Sequence, residues 1–134
     1  MNLGEIPWSK SIERASKEYL RFLIELIKFL KIDLNHNGLD PILKAEMYLS
    51  EEIGFTDYNG FVEVFVQRLE QLGGAENPFD PSSIKSRLAI YLLSAKHDNH
   101  IELEEDTSWF YENLEELPEC DINIAFDYLD NYFK

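Results

Sequence analysis

Along most of this chain apolar residues return every three or four positions, and that spacing constrains the fold more than any other feature. A period near 3.6 puts them on one face of an α-helix, whereas a half-buried strand alternates with a period of two. Ile12, Ala15, Tyr19, Phe22, Leu23, Leu26, Ile27 and Leu30 predict a first helix from about Ser9 to Lys31. Glu13 and Lys17 sit four apart on its outer face and support it slightly. From Phe22 to Leu30 the segment is apolar on more than one side, as expected of a central helix covered by its neighbours.

Turn and cap signals divide the rest. Asn37-Gly38 breaks the chain, and Asp40-Pro41 starts a second helix with Asp40 as N-cap and Pro41 at the first helical position. Ile42, Ala45, Leu49 and Ile53 form its stripe, and Gly54 suits the C-terminal cap. Thr56 or Asp57 is expected to cap a third helix reaching Leu72. Residues 61–66 (FVEVFV) are rich in strand formers, yet Phe61, Phe65, Leu69 and Leu72 keep helical spacing, so helix is the reading taken. Gly73-Gly74 ends it. Asp80-Pro81 repeats the capping signal and opens a fourth helix through Lys96, with Ile84, Leu88, Tyr91, Leu92 and Ala95 inward. His97 to Glu105 reads as a polar loop. Asp106 to Leu117 reads as a short fifth helix carrying Trp109, Phe110, Leu114 and Leu117. Pro118 stands near the start of a sixth, with Ile122, Ala125, Phe126, Leu129, Tyr132 and Phe133 inward.

The expectation is an all-α protein, a single compact bundle of about six helices with mostly short connections. Its 134 residues suit one acidic helical domain spanning 1–134, long enough to build a core without metal or disulfide. One cysteine, Cys120, forms no internal disulfide. The chain does not open with an apolar run and a small-residue cleavage site, and the apolar stretch from Tyr19 to Ile32 is interrupted by Arg21, Glu25, Lys28 and Lys31. A cytoplasmic protein is expected.

The formal charge of −14 disfavours direct nucleic-acid binding and docking on anionic lipid. It is unevenly spread. Residues 1–31 carry six bases and four acids, a net of +2, and residues 98–134 carry twelve acids and one base, a net of −11. That last segment also holds Trp109, Phe110, Tyr111, Phe126, Tyr128, Tyr132 and Phe133. Carboxylates interleaved with aromatics provide charge steering and rigid anchors for a basic protein partner. Acids at 46–63 form a second, weaker concentration.

Motifs for chemistry are sparse. Asp33-Leu34-Asn35-His36-Asn37-Gly38 resembles the opening of an EF-hand calcium loop, but its twelfth position is Lys44 and its ninth is Pro41. A turn at Asn37-Gly38 followed by an Asp40 N-cap accounts for the same residues. His97 and His100 with Asp98 and Glu102 lack the further ligands of a tetrahedral site, and both histidines, like His36, are read as exposed loop residues. Glu119 and Asp121 flank Cys120 and raise its thiol pKa, which argues against a nucleophile. Adjacent acids such as Glu104-Glu105 and Glu115-Glu116 diverge by about 100° on a helix and do not flank a common bond. No catalytic residue, metal or cofactor is assigned, and a non-enzyme is expected.

The segment His100–Leu117, HIELEEDTSWFYENLEEL, and the acidic, motif-poor character of the chain resemble the small immunity proteins of bacterial contact-dependent inhibition and colicin-type systems. The resemblance is to a class, and it implies a stoichiometric inhibitor, an immunity protein or antitoxin, that covers the active site or substrate surface of a basic nuclease-type toxin. The partner-binding candidates are Glu104, Glu105, Asp106, Trp109, Glu112, Glu115 and Glu116, with Glu112, Glu115, Glu116 and Glu119 expected on one helical face. Two alternatives use the same acids. One is a DNA mimic of the anti-restriction or anti-CRISPR type, against which the near-neutral first helix counts. The other is a generic acidic interaction domain with a degenerate EF-hand-like loop.

Overall fold

A computed structural model describes residues 3–134. The described chain is all-α, as the spacing predicts: α1 Ile12–Leu30, α2 Pro41–Leu49, α3 Phe55–Gly60, α4 Val62–Gln71, α5 Pro81–Leu93, α6 His100–Glu116 and α7 Ile122–Tyr132, with short 3-10 turns at Leu3–Glu5 and Gly74–Glu76. Among the described residues there is no strand, only an isolated pairing of His36 with Leu39. The helices group into two compact units, Met1–Lys31 with Ala95–Lys134, and Ile32–Ser94.

The first unit is built on α1. Ser11 caps it by accepting from the Arg14 N–H, so the helix starts at Ile12, three residues later than Ser9. Lys31 closes it in the left-handed conformation, φ 56°, with its N–H on the Ile27 and Lys28 carbonyls. Between Tyr19 and Ile27 only Arg21 and Glu25 are exposed, as expected of a helix apolar on more than one side. α7 packs on α1 through aromatic rings: Phe22 lies 5.1 Å from both Tyr132 and Phe133, and Phe29 stacks on Tyr128 at 4.7 Å. Tyr132 was expected inward, but one side of its ring stays in water (41% exposed). α6 turns Leu103, Thr107, Phe110, Tyr111 and Leu114 inward. The Tyr111 hydroxyl donates to the Ala125 carbonyl at 2.8 Å and ties α6 to α7.

In the second unit Asp40 and Asp80 cap α2 and α5 by accepting from Ile42 and Ser83 N–H, each followed by proline, as read from the sequence. α4 and α2 pack on α5. Tyr58 is fully buried, stacks on Tyr48 at 4.6 Å and donates its hydroxyl to the Leu92 carbonyl, while the Asn59 amide reaches the Leu93 carbonyl at 3.1 Å. The 61–66 segment is helical from Val62, because Phe65 points into the core at helical register.

Several boundaries differ from the sequence reading. α2 ends at Leu49, since Glu51 takes a left-handed turn (φ 65°), and Gly54 is the N-cap of α3 in place of Thr56 or Asp57. The third helix is two pieces joined at Phe61. α5 stops at Leu93, and α7 begins after Asp121, which caps it through the Asn123 N–H. The largest difference lies at α6. The expected loop 97–105 is helical from His100, because Asn99 accepts from the Glu102 N–H and Leu103 supplies a buried anchor in the first turn.

Candidate functional site

The candidates lie on α6, and its earlier start decides how they are displayed. At about 100° per residue, the helix carries Glu104, Glu105, Trp109, Glu112, Glu115 and Glu116 within about 140° of arc, opposite the buried stripe. All six are exposed, Trp109 at 53%. Among the described residues none of these carboxylates has a hydrogen-bond or ion-pair partner. Trp109 therefore projects an indole into water in the middle of a row of unpaired acids. Glu119 does not belong to the row, because the helix ends at Glu116 and Glu119 falls in the following turn.

A groove of about 410 Å³ runs along this face. Leu3 and Gly4 of the first 3-10 turn form one wall, and Glu104, Glu105, Ser108, Trp109 and Glu112 line the rest with Ile101. Ile101 is 68% exposed and was missed by the sequence reading, which placed it in a loop. Its signal is visible once α6 starts at His100: it is the one large apolar side chain off the inward stripe of the first turn.

Asp106 is placed differently from its neighbours. Its carboxylate accepts from His97 Nε2 at 2.9 Å, while Nδ1 of the same ring lies 2.9 Å from the Ser16 hydroxyl. A carboxylate only accepts, so Nε2 donates to Asp106, and Nδ1 is left to pair with the Ser16 hydroxyl. The Tyr19 ring meets His97 edge-on at 5.0 Å. His97 is 6% exposed and Ser16 5%, so the expectation of an exposed loop histidine is corrected: a polar tract is buried here because each of its groups is bonded. His100 is half-buried and Nε2 donates to the Ser9 carbonyl at 2.7 Å, so it too is anchored.

The Ser16–His97–Asp106 chain has the connectivity of a nucleophile, base and orienting acid. Its setting is that of a clamp. Ser16 Oγ is buried, and Ser16 lies past the first turn of α1, where its own N–H belongs to the helical ladder and is not free to bind an oxyanion. The chain joins α1, through His97, to Asp106 in the second turn of α6.

A second charged surface lies on α1. Arg14, Lys17 and Arg21, with Ser11 and Glu13, line a shallow depression of about 320 Å³. Arg14, Lys17, Arg21 and Lys28 recur at the helical period along the wet side of α1, with Glu18 and Glu25 beside them. Summed over residues 1–31 the charge is only +2, a figure that hides how the charges are distributed around the helix axis.

The EF-hand-like segment is a tight turn. Asn37 (φ 51°) and Gly38 (φ 76°) are both left-handed, and His36 and Leu39 exchange backbone hydrogen bonds at 3.1 and 2.9 Å. Asp33 accepts from the Asn35 N–H and Asp40 caps α2, so both carboxylates bond local backbone. His36 is half-buried in place of exposed; desolvation and the nearby Arg68 hold its pKa below the ordinary histidine value. Among the described residues no group of three or more His, Cys, Asp or Glu side chains is placed to hold a metal ion. Burial, followed by Asp121 and Glu119, pushes the Cys120 thiol pKa up. No described helix is long and apolar enough to cross a membrane.

Compared with protein families, curated proteins and solved structures, the chain matches none.

Proposed function

We propose that this chain is a stoichiometric protein inhibitor, an immunity protein or antitoxin acting in the cytoplasm, that uses the outer face of α6 to cover the active site or substrate surface of a basic nuclease-type toxin. The observation that carries the reading is the row of exposed, unpaired carboxylates around an exposed indole. Nuclease sites hold phosphate with cationic groups, and a rigid helix presenting acids is complementary to them. Unpaired acids repel one another and oppose folding, so concentrating them on one face has a cost that a cationic partner offsets. Exposed aromatics amid charge are the usual energetic centres of protein interfaces. The bases along α1 favour a protein partner over DNA mimicry, since a surrogate for a phosphate backbone gains nothing from cations in the same unit.

The test is co-expression with the product of the adjacent gene, followed by purification and a nuclease assay. A stable complex without nuclease activity is expected, and a nuclease that stays active in excess of this chain refutes the proposal. Replacing Glu112, Glu115 and Glu116 by Lys is expected to slow association by about tenfold or more at low salt, with the unfolding midpoint unchanged. Unaltered kinetics in that variant move the interface off α6.

A further inference from the structure

We propose that the groove between the Leu3–Glu5 turn and α6 receives an arginine side chain of a protein partner, its guanidinium lying on the Trp109 indole between Glu105 and Glu112. The inference rests on the reading that α6 meets a basic protein, and it names the group the groove selects.

Size and chemistry both bear on the occupant. About 410 Å³ is at the small end of ligand pockets, enough for one or two side chains inserted from a partner surface. The walls combine two properties that few ligands match together. Leu3, Ile101 and Trp109 offer apolar surface, and Ile101 and Trp109 hold theirs in water in the free chain. Glu104, Glu105 and Glu112 offer carboxylates with no partner of their own among the described residues. An anionic ligand is repelled by those three carboxylates. A purely apolar ligand removes water from them and returns no hydrogen bond. A compact metal ion needs converging ligands, and no such group of three exists among the described residues. A long cationic side chain satisfies both halves: its methylene stem covers apolar surface while its charged head meets the acids.

The positions choose arginine over lysine. Glu105, Trp109 and Glu112 are four and three residues apart, so their side chains neighbour one another along one helix face with the indole between the carboxylates. A planar guanidinium stacked on that indole keeps its N–H edge free to donate to a carboxylate on either side. An ammonium is a hydrated point charge that neither stacks nor forks, so it gains less from Trp109.

The experiment uses the full chain and two probes, acetyl-tetra-arginine amide and acetyl-tetra-lysine amide, followed by the indole N–H resonances of Trp8 and Trp109 in proton–nitrogen correlation spectra. Assignment comes from Trp109→Phe. The arginine peptide is expected to bind about tenfold more tightly than the lysine peptide and to shift Trp109, not Trp8. Trp109→Ala, and separately Glu105→Gln with Glu112→Gln, are expected to bring the arginine peptide down to the lysine level. Equal affinity for the two peptides, or an arginine preference that survives Trp109→Ala, overturns the assignment. The two readings fail separately. Arginine selectivity at Trp109 in a chain that neutralises no toxin keeps the groove and removes the inhibitor reading. Neutralisation at full affinity by Trp109→Ala removes the groove and keeps the inhibitor.

Discussion

Replacing His97 by Ala is expected to destabilise the protein by about 3–5 kcal/mol, and the figure follows from what the ring touches. It makes two hydrogen bonds of 2.9 Å, to Ser16 Oγ and to the Asp106 carboxylate, and an edge-on contact with Tyr19. A bond to a charged acceptor is worth about 1.5–3 kcal/mol; the Asp106 side chain is 34% exposed and regains water when released, so the low end applies. Ser16 does not regain water. The residue is 5% exposed, and a buried hydroxyl left without a partner costs about 1–3 kcal/mol. The ring contact adds about 0.5–1 kcal/mol. Ser16→Ala alone is expected to cost about 1 kcal/mol, because it removes the hydroxyl and leaves one ring nitrogen unsatisfied. In the double variant no orphaned hydroxyl remains at position 16, so the loss should fall short of the sum of the two single losses by about 1 kcal/mol or more. Urea unfolding followed by far-ultraviolet circular dichroism gives all three values. Additivity within about 0.5 kcal/mol, together with a His97→Ala loss below about 1 kcal/mol, would refute the clamp.

Alkaline stability follows from Tyr58 and Tyr111. Burial, with Tyr48 second for Tyr58 and Cys120, Asp130 and Tyr128 after it for Tyr111, raises both phenol pKa values above the ordinary 10.0. The unfolded chain then ionises first and binds fewer protons, so stability is intact below pH about 10 and falls above it, by up to about 1.4 kcal/mol per pH unit for each phenol. Urea midpoints on either side of pH 10 read the slope, which Tyr111→Phe should reduce; a flat profile counts against the burial. The Cys120 thiol, held high by burial and its two acidic neighbours, should react with a disulfide reagent more slowly than a free cysteine at neutral pH, and unfolding in urea should remove the difference. Asn99→Ala should cost about 1 kcal/mol and fray the first turn of α6, read as faster amide exchange at Glu102 and Leu103; unchanged exchange there would mean that the cap is idle.

The elements that sequence reasoning placed well are those set within a few residues. Asp40-Pro41 and Asp80-Pro81 mark helix starts because a carboxylate reaches an N–H two or three residues on, whatever surrounds it. The start of α6 had the same kind of signal in Asn99, but the polar run from Lys96 to Asn99 and the acids beyond it outweighed a single cap, and Leu103 looked isolated without its later partners. For the site, the identity of the acids and of Trp109 was legible, while their display was not. Asp106 and Glu105 are carboxylates adjacent in sequence, yet one bonds a buried histidine and the other faces water. That distinction depends on helical register, which the chain order alone does not reveal.

By itself, the sequence determined helix as the secondary structure, the cap positions at proline, and a chain with excess acid near one end. These depend on periodicity, local hydrogen bonding and counting. Tertiary structure alone decided that Ser16 and His97, 81 residues apart, share a buried hydrogen bond, that bases of α1 line a shallow depression, and that Ile101 and Trp109 border an acidic groove. The reason is physical: a buried polar group is stable only where folding delivers its partner, and a surface becomes a site only where packing fixes which side of a helix remains in water.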